Sequence, residues 1–342
     1  MRRAQASPTI ERNWGAEEHR VDACGSRKRV RISTDDVPSN ESLAYWEDVS
    51  VATVVGVTCH PFADFFHASQ ISVDLGDLRI IEIEGVKHMV ERSPALVRKH
   101  SKPSLFLSLV VEGSAFLYQG EQCVMLNPGD MALYSANASY VLGWASAARH
   151  ITFDLPDDNA ELRSGEWLSH GPAKIDGAVG LGRFLSRNLR SSAQHVLSSE
   201  EALHAEHSRQ IWPSVELCLR MVQGGSCLPL SGGAALLRAQ AYIMDNLANS
   251  QLDCETVSSA LRLSTRHLHR LFEATGTSVR RWVLTQRLNE CARALKDPKL
   301  LGVSLAEICY RWGFGDAAHF SRTFKAAYGS PPREYRELHK AH

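Results

Sequence analysis

Leu268-His269-Arg270-Leu271-Phe272 is answered further down the chain by Phe320-Ser321-Arg322-Thr323-Phe324. In each copy two apolar residues stand four apart around an arginine. Positions i and i+4 share one helix face, so Leu268 with Phe272 and Phe320 with Phe324 face a core while Arg270 and Arg322 project outward. Each phrase runs on to a glycine, Gly276 or Gly329, the residue that takes a left-handed helix end without a Cβ penalty. The chain carries a duplicated helical unit.

A second short amphipathic segment precedes each copy. Asp253 is placed to cap a helix through Leu261 that buries Val257, Ala260 and Leu261, and a tight turn at Arg262-Leu263-Ser264 follows. Before the other copy, Ser304 and Glu307 have capping-box spacing, and the turn Gly313-Phe314-Gly315-Asp316 is longer. Two short helices joined by a tight turn, the second basic and polar outside, form a helix-turn-helix whose second helix fits a major groove. The sequence predicts two of them, with second helices over 264–275 and 316–328 and a stiff connecting helix over 279–295. Units held on that helix would meet successive major grooves about 34 Å apart on one face of the duplex.

These residues resemble the AraC/XylS family of transcription regulators. The matching pieces run in order: Ala260, Ser264, Leu268, Arg270 and Phe272; Gly276; Arg287-Leu288; Ala292; Leu295; Ile308; Gly313-Phe314; Phe320, Arg322, Phe324 and Lys325; Gly329; and Pro331 to Arg336. The stretch from Asp297 to Val303 is longer than the family's usual connection, and Trp312 replaces a smaller apolar residue. The resemblance implies a seven-helix DNA-binding domain over 235–340. It also implies partners: double-stranded promoter DNA, a small-molecule effector, RNA polymerase and a second copy of the chain.

The formal net charge of zero argues against a DNA binder, but the average hides a segregation. From Ala235 to His342 there are 16 Lys and Arg against 10 Asp and Glu, a net of +6 where the paired motifs lie. Eight cysteines are scattered singly. That spacing suits neither a zinc site nor a disulfide framework, and free thiols in a reducing cytoplasm are expected. No apolar run reaches the roughly 18 residues of a membrane span, and the basic start has no apolar segment after it. A soluble, cytoplasmic protein with no membrane partner is the expectation.

Ahead of the helical part the pattern changes to short apolar runs separated by turns. Residues 1–37 are polar and charged, with the basic run Arg27-Lys28-Arg29-Val30-Arg31, and read as a disordered tail. Over 38–156 an opening helix from Ser42 to Val51 precedes strands at Phe65–Val73, Leu78–Val86, Ala95–His100, Leu105–Val111, Ser114–Gln119, Gln122–Leu126, Met131–Tyr134, Tyr140–Trp144 and His150–Phe153. Such spacing indicates a small barrel or jelly roll. Val110-Val111-Glu112-Gly113-Ser114, Gly120-Glu121 and Leu126-Asn127-Pro128-Gly129-Asp130-Met131 resemble the cupin-like sensor domain of AraC/XylS regulators. The opening Tyr45-Trp46 helix looks most like regulators of aromatic-compound and amine catabolism. Residues 157–223 read as connecting helices, which in that family supply the dimer contact, and 224–234, with Gly224-Gly225-Ser226 and Ser231-Gly232-Gly233, as a flexible linker. The fold class is thus multidomain α+β, a cupin-like β jelly roll with helices followed by an all-α domain with two helix-turn-helix units.

On the first recognition helix Thr265, Arg266, His269 and Arg270 lie outside the apolar stripe; on the second, Ala317, Ala318, His319, Ser321 and Arg322 do. Arginine reads guanine by donating two bonds to O6 and N7, although a surface arginine also serves simply to touch phosphate. The resemblance puts Arg266, His269 and Arg270 at base-facing places. The alanines cannot hydrogen-bond, so the second helix is expected to meet thymine methyls and to discriminate less.

No catalytic pattern is evident. The His-x-His and following Glu of a metallocupin are missing, His88, His100 and His150 stand alone, and no metal or cofactor is expected. A pocket for an effector remains, with Arg98, His100, Tyr118, Tyr134, Tyr140 and Trp144 as candidate lining on predicted strands. Alternation puts Arg98 on the face of Leu96 and His100, where an inward guanidinium would call for an anionic partner such as an aromatic carboxylate. The expected function is an effector-responsive transcription activator. The alternatives are an effector-independent regulator of the same family, a metallocupin enzyme with an appended DNA-binding domain, and a purely architectural DNA binder.

Overall fold

The computed structural model describes residues 29–62, 65–156, 171–199, 204–223 and 231–339. Two compact units divide the chain, one taking 1–175 and 189–210, the other 176–188 and 211–342.

The first unit is two antiparallel sheets. One runs in the order β1 (Arg29–Ser33), β3 (Ala68–Asp74), β4 (Arg79–Gly85), β11 (Ala148–Pro156), β6 (Ser104–Glu112), β9 (Met131–Ser135), β12 (Ala173–Ile175). The other runs β2 (Thr58–Pro61), β5 (His88–Arg92), β10 (Tyr140–Trp144), β7 (Ala115–Gln119), β8 (Gln122–Leu126). Every pairing is antiparallel, and neighbours in sequence are often not neighbours in the sheet, as in a jelly roll. The expected Pro-Gly-Asp corner is present. Gly129 takes φ 94°, and the Asp130 carboxylate accepts from the Asn127 amide at 2.9 Å and pairs with Lys174 at 2.7 Å. Helix α1 (Ser42–Thr53) buries Trp46, Val49 and Ser50, and Trp46 joins a core with Ile32, Cys59, Phe66 and Ala68.

Three expectations are corrected here. Residues 29–36 are not tail: a strand over Arg29–Ser33 leads into a 3-10 turn at Thr34–Asp36 that Ser33 caps. Arg29 and Arg31 alternate with Val30 and Ile32, and the strand pairs with β3, its arginines exposed and Ile32 buried. The rest of the basic run, with residues 1–28, lies outside the described residues. Ala95–His100 is not a strand but helix α2 (Pro94–Lys99). Ser93 caps it by accepting from the Leu96 amide, and Pro94 fills the first helical position, where its missing N–H costs nothing. Ser231-Gly232-Gly233 is not linker. Ser231 caps the helix Gly232–Asp245 by accepting from the Ala234 amide, and both glycines are helical; Gly224-Gly225-Ser226 lies outside the described residues.

The connecting helices are α3 (Gly180–Ser198) and α4 (His204–Val222). Within the first unit Ser208 of α4 donates to Asp77 in the β3–β4 turn at 2.6 Å. The second unit continues with α5 (Gly232–Asp245), α6 (Cys254–Leu261), α7 (Thr265–Glu273), α8 (Val279–Lys296), α9 (Leu305–Arg311), α10 (Ala317–Tyr328) and α11 (Pro332–His339). Two apolar cores divide these helices. One gathers Ile243, Val257, Leu268 and Phe272, the other Ile308, Phe314, Phe320 and Phe324. Helix α8 gives Val279 and Val283 to the first core and Leu288, Cys291 and Leu295 to the second, so it spans both over about 27 Å. Half-buried Trp312 packs against both cores, which explains a large residue where a small one was expected.

Candidate nucleic-acid interface and buried cavity

Each repeated phrase sits on a helix whose start is fixed by its own cap. Asp253 accepts from the Thr256 amide and hydroxyl, both at 2.8 Å, and begins α6. That helix ends on Arg262, which at φ 55° is the one non-glycine residue with positive φ among the described residues. Ser264 then caps α7 by accepting from the His267 amide at 3.1 Å. The second unit repeats the plan: Ser304 accepts from the Glu307 amide, and Asp316 caps α10 by accepting from the amides of Ala318 and His319. Those amides hold the Asp316 carboxyl below its ordinary value. The Glu307 carboxylate turns to Arg311 one turn on rather than completing a capping box.

Packing leaves one face of each recognition helix free. Leu268, Leu271 and Phe272 are buried on α7, while Thr265, Arg266, His269 and Arg270 are exposed. The Arg270 guanidinium donates to His267 Nδ1 at 3.0 Å, which orients it along the helix. On α10 Phe320 and Phe324 are buried, and Ala318, His319, Ser321 and Arg322 are exposed. Ala317 differs from expectation: it is half-buried against the core, because it follows the cap directly on the packed side. The Ser321 hydroxyl donates back to the Ala317 carbonyl at 2.9 Å, which leaves it only its lone pairs for another partner. Basic and polar groups on two capped helices, one exposing three cationic or imidazole side chains, form a surface able to meet phosphates and base edges.

Between its two sheets and beside α1 the first unit holds a partly open cavity of about 60 Å3. Trp46, Phe106, Leu142 and Trp144 line it together with Tyr134, Tyr140, His88, His150 and Thr152. Burial governs its chemistry. His150 is pushed down to about 3 by desolvation, with His88 adding to the effect, and His88 is lowered by its own burial. Desolvation raises Tyr134 to about 12 and Tyr140 well above its ordinary value. The Tyr134 hydroxyl lies 3.1 Å from Ser108, which in turn meets Thr152 at 2.8 Å.

Of the six expected lining residues, the fold brings Tyr134, Tyr140 and Trp144 together in this cavity. Arg98 is exposed on α2, Tyr118 is 45% exposed on β7, and His100 packs its ring over Gly56. The inward arginine is Arg92, fully buried at the end of β5. It donates to the carbonyls of Ala136 at 2.8 Å, Gly56 at 2.8 Å and His100 at 2.6 Å. Sequence reading also missed His88 and His150 as a pair, since one lies on each sheet and only the closed roll makes them neighbours. Among the described residues no group of three or more His, Cys, Asp or Glu lies close enough to hold a metal ion, and no helix is long and apolar enough to cross a membrane.

An AraC-binding-like domain model matches residues 49–248, more than half of the chain, and a helix-turn-helix domain model matches 257–338. The chain belongs to the AraC family. Among AraC-type relatives, the transcriptional activator NphR of Rhodococcus sp is 28% identical over 270 residues, covering 77% of this chain and 79% of its own length. The transcriptional activator RhrA of Rhizobium meliloti (strain 1021) is 34% identical over 96 residues, 28% of this chain and 30% of its own. The solved structure of the AraC-like transcriptional activator CuxR matches 77% of this chain and 94% of that one, at 24% identity and a TM-score of 0.46. As an AraC-family protein the chain is a DNA-binding transcription regulator, with α6–α7 and α9–α10 as its helix-turn-helix pairs.

Proposed function

We propose that the chain is an effector-responsive activator of transcription that binds promoter DNA as a homodimer, reading it with α7 and α10 and recruiting RNA polymerase. The observation that carries this reading is the pocket between the two sheets, lined by aromatic rings with a few polar groups among them, the kind of site that holds a small molecule. NphR and RhrA are named as transcriptional activators, which supports the sign of regulation. Arg266, His269 and Arg270 would contact bases, Thr265 and Ser321 would position the helices, and Arg322, Ala318 and His319 would add weaker discrimination from α10. A ligand in the cavity would favour one arrangement of the DNA-binding units over others by the difference in its affinity for them.

Selection of random duplexes with the purified full chain, followed by footprinting of the recovered site, tests the DNA half of this reading. Two protected half-sites about 34 Å apart on one face of the duplex are expected. Recovery of sequences without enrichment, or binding lost uniformly with salt whatever the sequence, would instead mark an architectural binder.

A further inference from the structure

The cavity has a chemical bias that goes past the presence of an effector. Its neighbours across the sheet define which groups face it. Gln70 of β3 pairs with Ile83 of β4, and Ile83 pairs with His150 of β11. Residues directly opposite in antiparallel strands point to the same face, and Ile83 and His150 both line the cavity. Gln70 therefore stands on that side too, 1% exposed, with neither its amide oxygen nor its nitrogen bonded to a protein group among the described residues.

The polar groups at the cavity are neutral. No Lys, Arg, Asp or Glu is among the described residues that line it. Arg92 and Asp154, whose charges reach Tyr140 and Tyr134, do not line it: Arg92 donates to three carbonyls, and one oxygen of Asp154 pairs with Lys102 at 2.7 Å while the other has no hydrogen-bond partner among the described residues. The His88 Nδ1 lies 2.6 Å from the Val86 carbonyl. That contact requires the proton on Nδ1, so Nε2 keeps a lone pair and accepts. Tyr140 adds its hydroxyl to the lining. An ion brought here would lose its hydration and meet no opposite charge on the lining itself, which is costly next to a neutral group of equal size. A neutral hydroxyl, by contrast, can donate to imidazole and accept from tyrosine.

The walls set shape and size. Trp46, Phe106 and Trp144 surround the space, and Tyr134 and Tyr140 meet edge to face at 5.2 Å. The free space of about 60 Å3 is smaller than the roughly 150 Å3 that takes benzene in an engineered cavity. Side chains must therefore shift to admit one ring, and a fused ring system would need far more.

Resting on the effector reading above, we propose that the cavity binds an uncharged compound with a single aromatic ring and a hydroxyl group, and discriminates against the carboxylate and ammonium compounds of the same skeleton. This replaces the aromatic carboxylate that an inward Arg98 would have required.

The test is a titration of the full chain by calorimetry with benzyl alcohol, toluene, benzoate and benzylammonium, with sugars and amino acids as a separate set. Benzyl alcohol is expected to bind at least about tenfold tighter than either ion, equivalent to about 1.4 kcal/mol, with toluene between. In the His88→Phe variant the advantage of benzyl alcohol over toluene should be lost while toluene binding holds; should that variant fail to fold, the wild-type ratios decide. Equal or tighter binding of benzoate or benzylammonium, or binding only of a sugar or amino acid, would overturn the proposal and leave the effector reading standing. Binding of none of these compounds would overturn both.

Discussion

The indole of Trp144 lies stacked on the imidazole of His150, their centroids 4.7 Å apart and their planes 24° from parallel. The stack seals a neutral histidine inside the β unit. Its folded pKa of about 3 lies below the ordinary value near 6.5, because burial penalises the charged form. The unfolded chain therefore binds a proton that the folded chain refuses. Stability from this residue is fully present above about pH 6.5 and is lost as pH falls from there toward about 3.

His88 is shifted in the same direction, so urea unfolding at about pH 7.5, 6.5 and 5.5 should show stability falling with acid by up to about 1.4 kcal/mol per pH unit for each histidine. His150→Gln should remove one histidine's share of that slope. An unchanged slope in the variant would show that His150 titrates normally.

Arg92 ties three separate connections to one strand end, and its guanidinium meets them in three directions. Arg92→Leu leaves three carbonyls without their donor and should cost at least about 3 kcal/mol. Arg92→Lys should recover little of it, since an ammonium cannot reproduce the planar fork. The urea midpoint of the first unit measures both.

Gly313 has φ 78°, and a Cβ there would lie 2.5 Å from the Leu247 carbonyl oxygen. Gly313→Ala should destabilise the helical unit by roughly 1–3 kcal/mol. The reverse change at the other turn, Arg262→Gly, should relieve a left-handed arginine at φ 55° and add about 0.5 kcal/mol. Thermal melts of the two variants are expected to move in opposite directions.

On the selected operator, Arg266→Ala and Arg270→Ala should each cost about 1–3 kcal/mol and relax preference at one base position, as loss of a base contact does. Lys325→Ala, on the exposed side of α10, should weaken all sequences alike and lower the salt slope by about one. Binding isotherms on operator and scrambled duplexes separate the two patterns.

The helical half was legible because its signals are local and doubled. Apolar residues four apart, a capping side chain and a closing glycine specify each helix without reference to the rest of the chain, and the repeat removes the ambiguity of a single copy. The β unit was legible in its turns and most of its strands. It was misread at Ser93-Pro94, where a cap followed by proline marks a helix start and outweighs the short apolar run behind it. A strand over this segment would place Arg98 in the interior, whereas the helix leaves it exposed. The arginine that is inside, Arg92, carries no sequence signature, because its partners are backbone carbonyls distributed over three loops. His88 and His150 looked ordinary for a similar reason: each is a lone histidine until two sheets close over one cavity.

The coupling between ligand and DNA is the most direct quantity to measure. Operator affinity is determined by fluorescence anisotropy with and without a saturating ligand, and ligand affinity with and without operator. The expected result is a change by one common factor of about 5 to 150 in both titrations, as linkage requires. A ligand that binds in the cavity yet leaves operator affinity unchanged, and is itself unaffected by operator, would contradict the regulator described here.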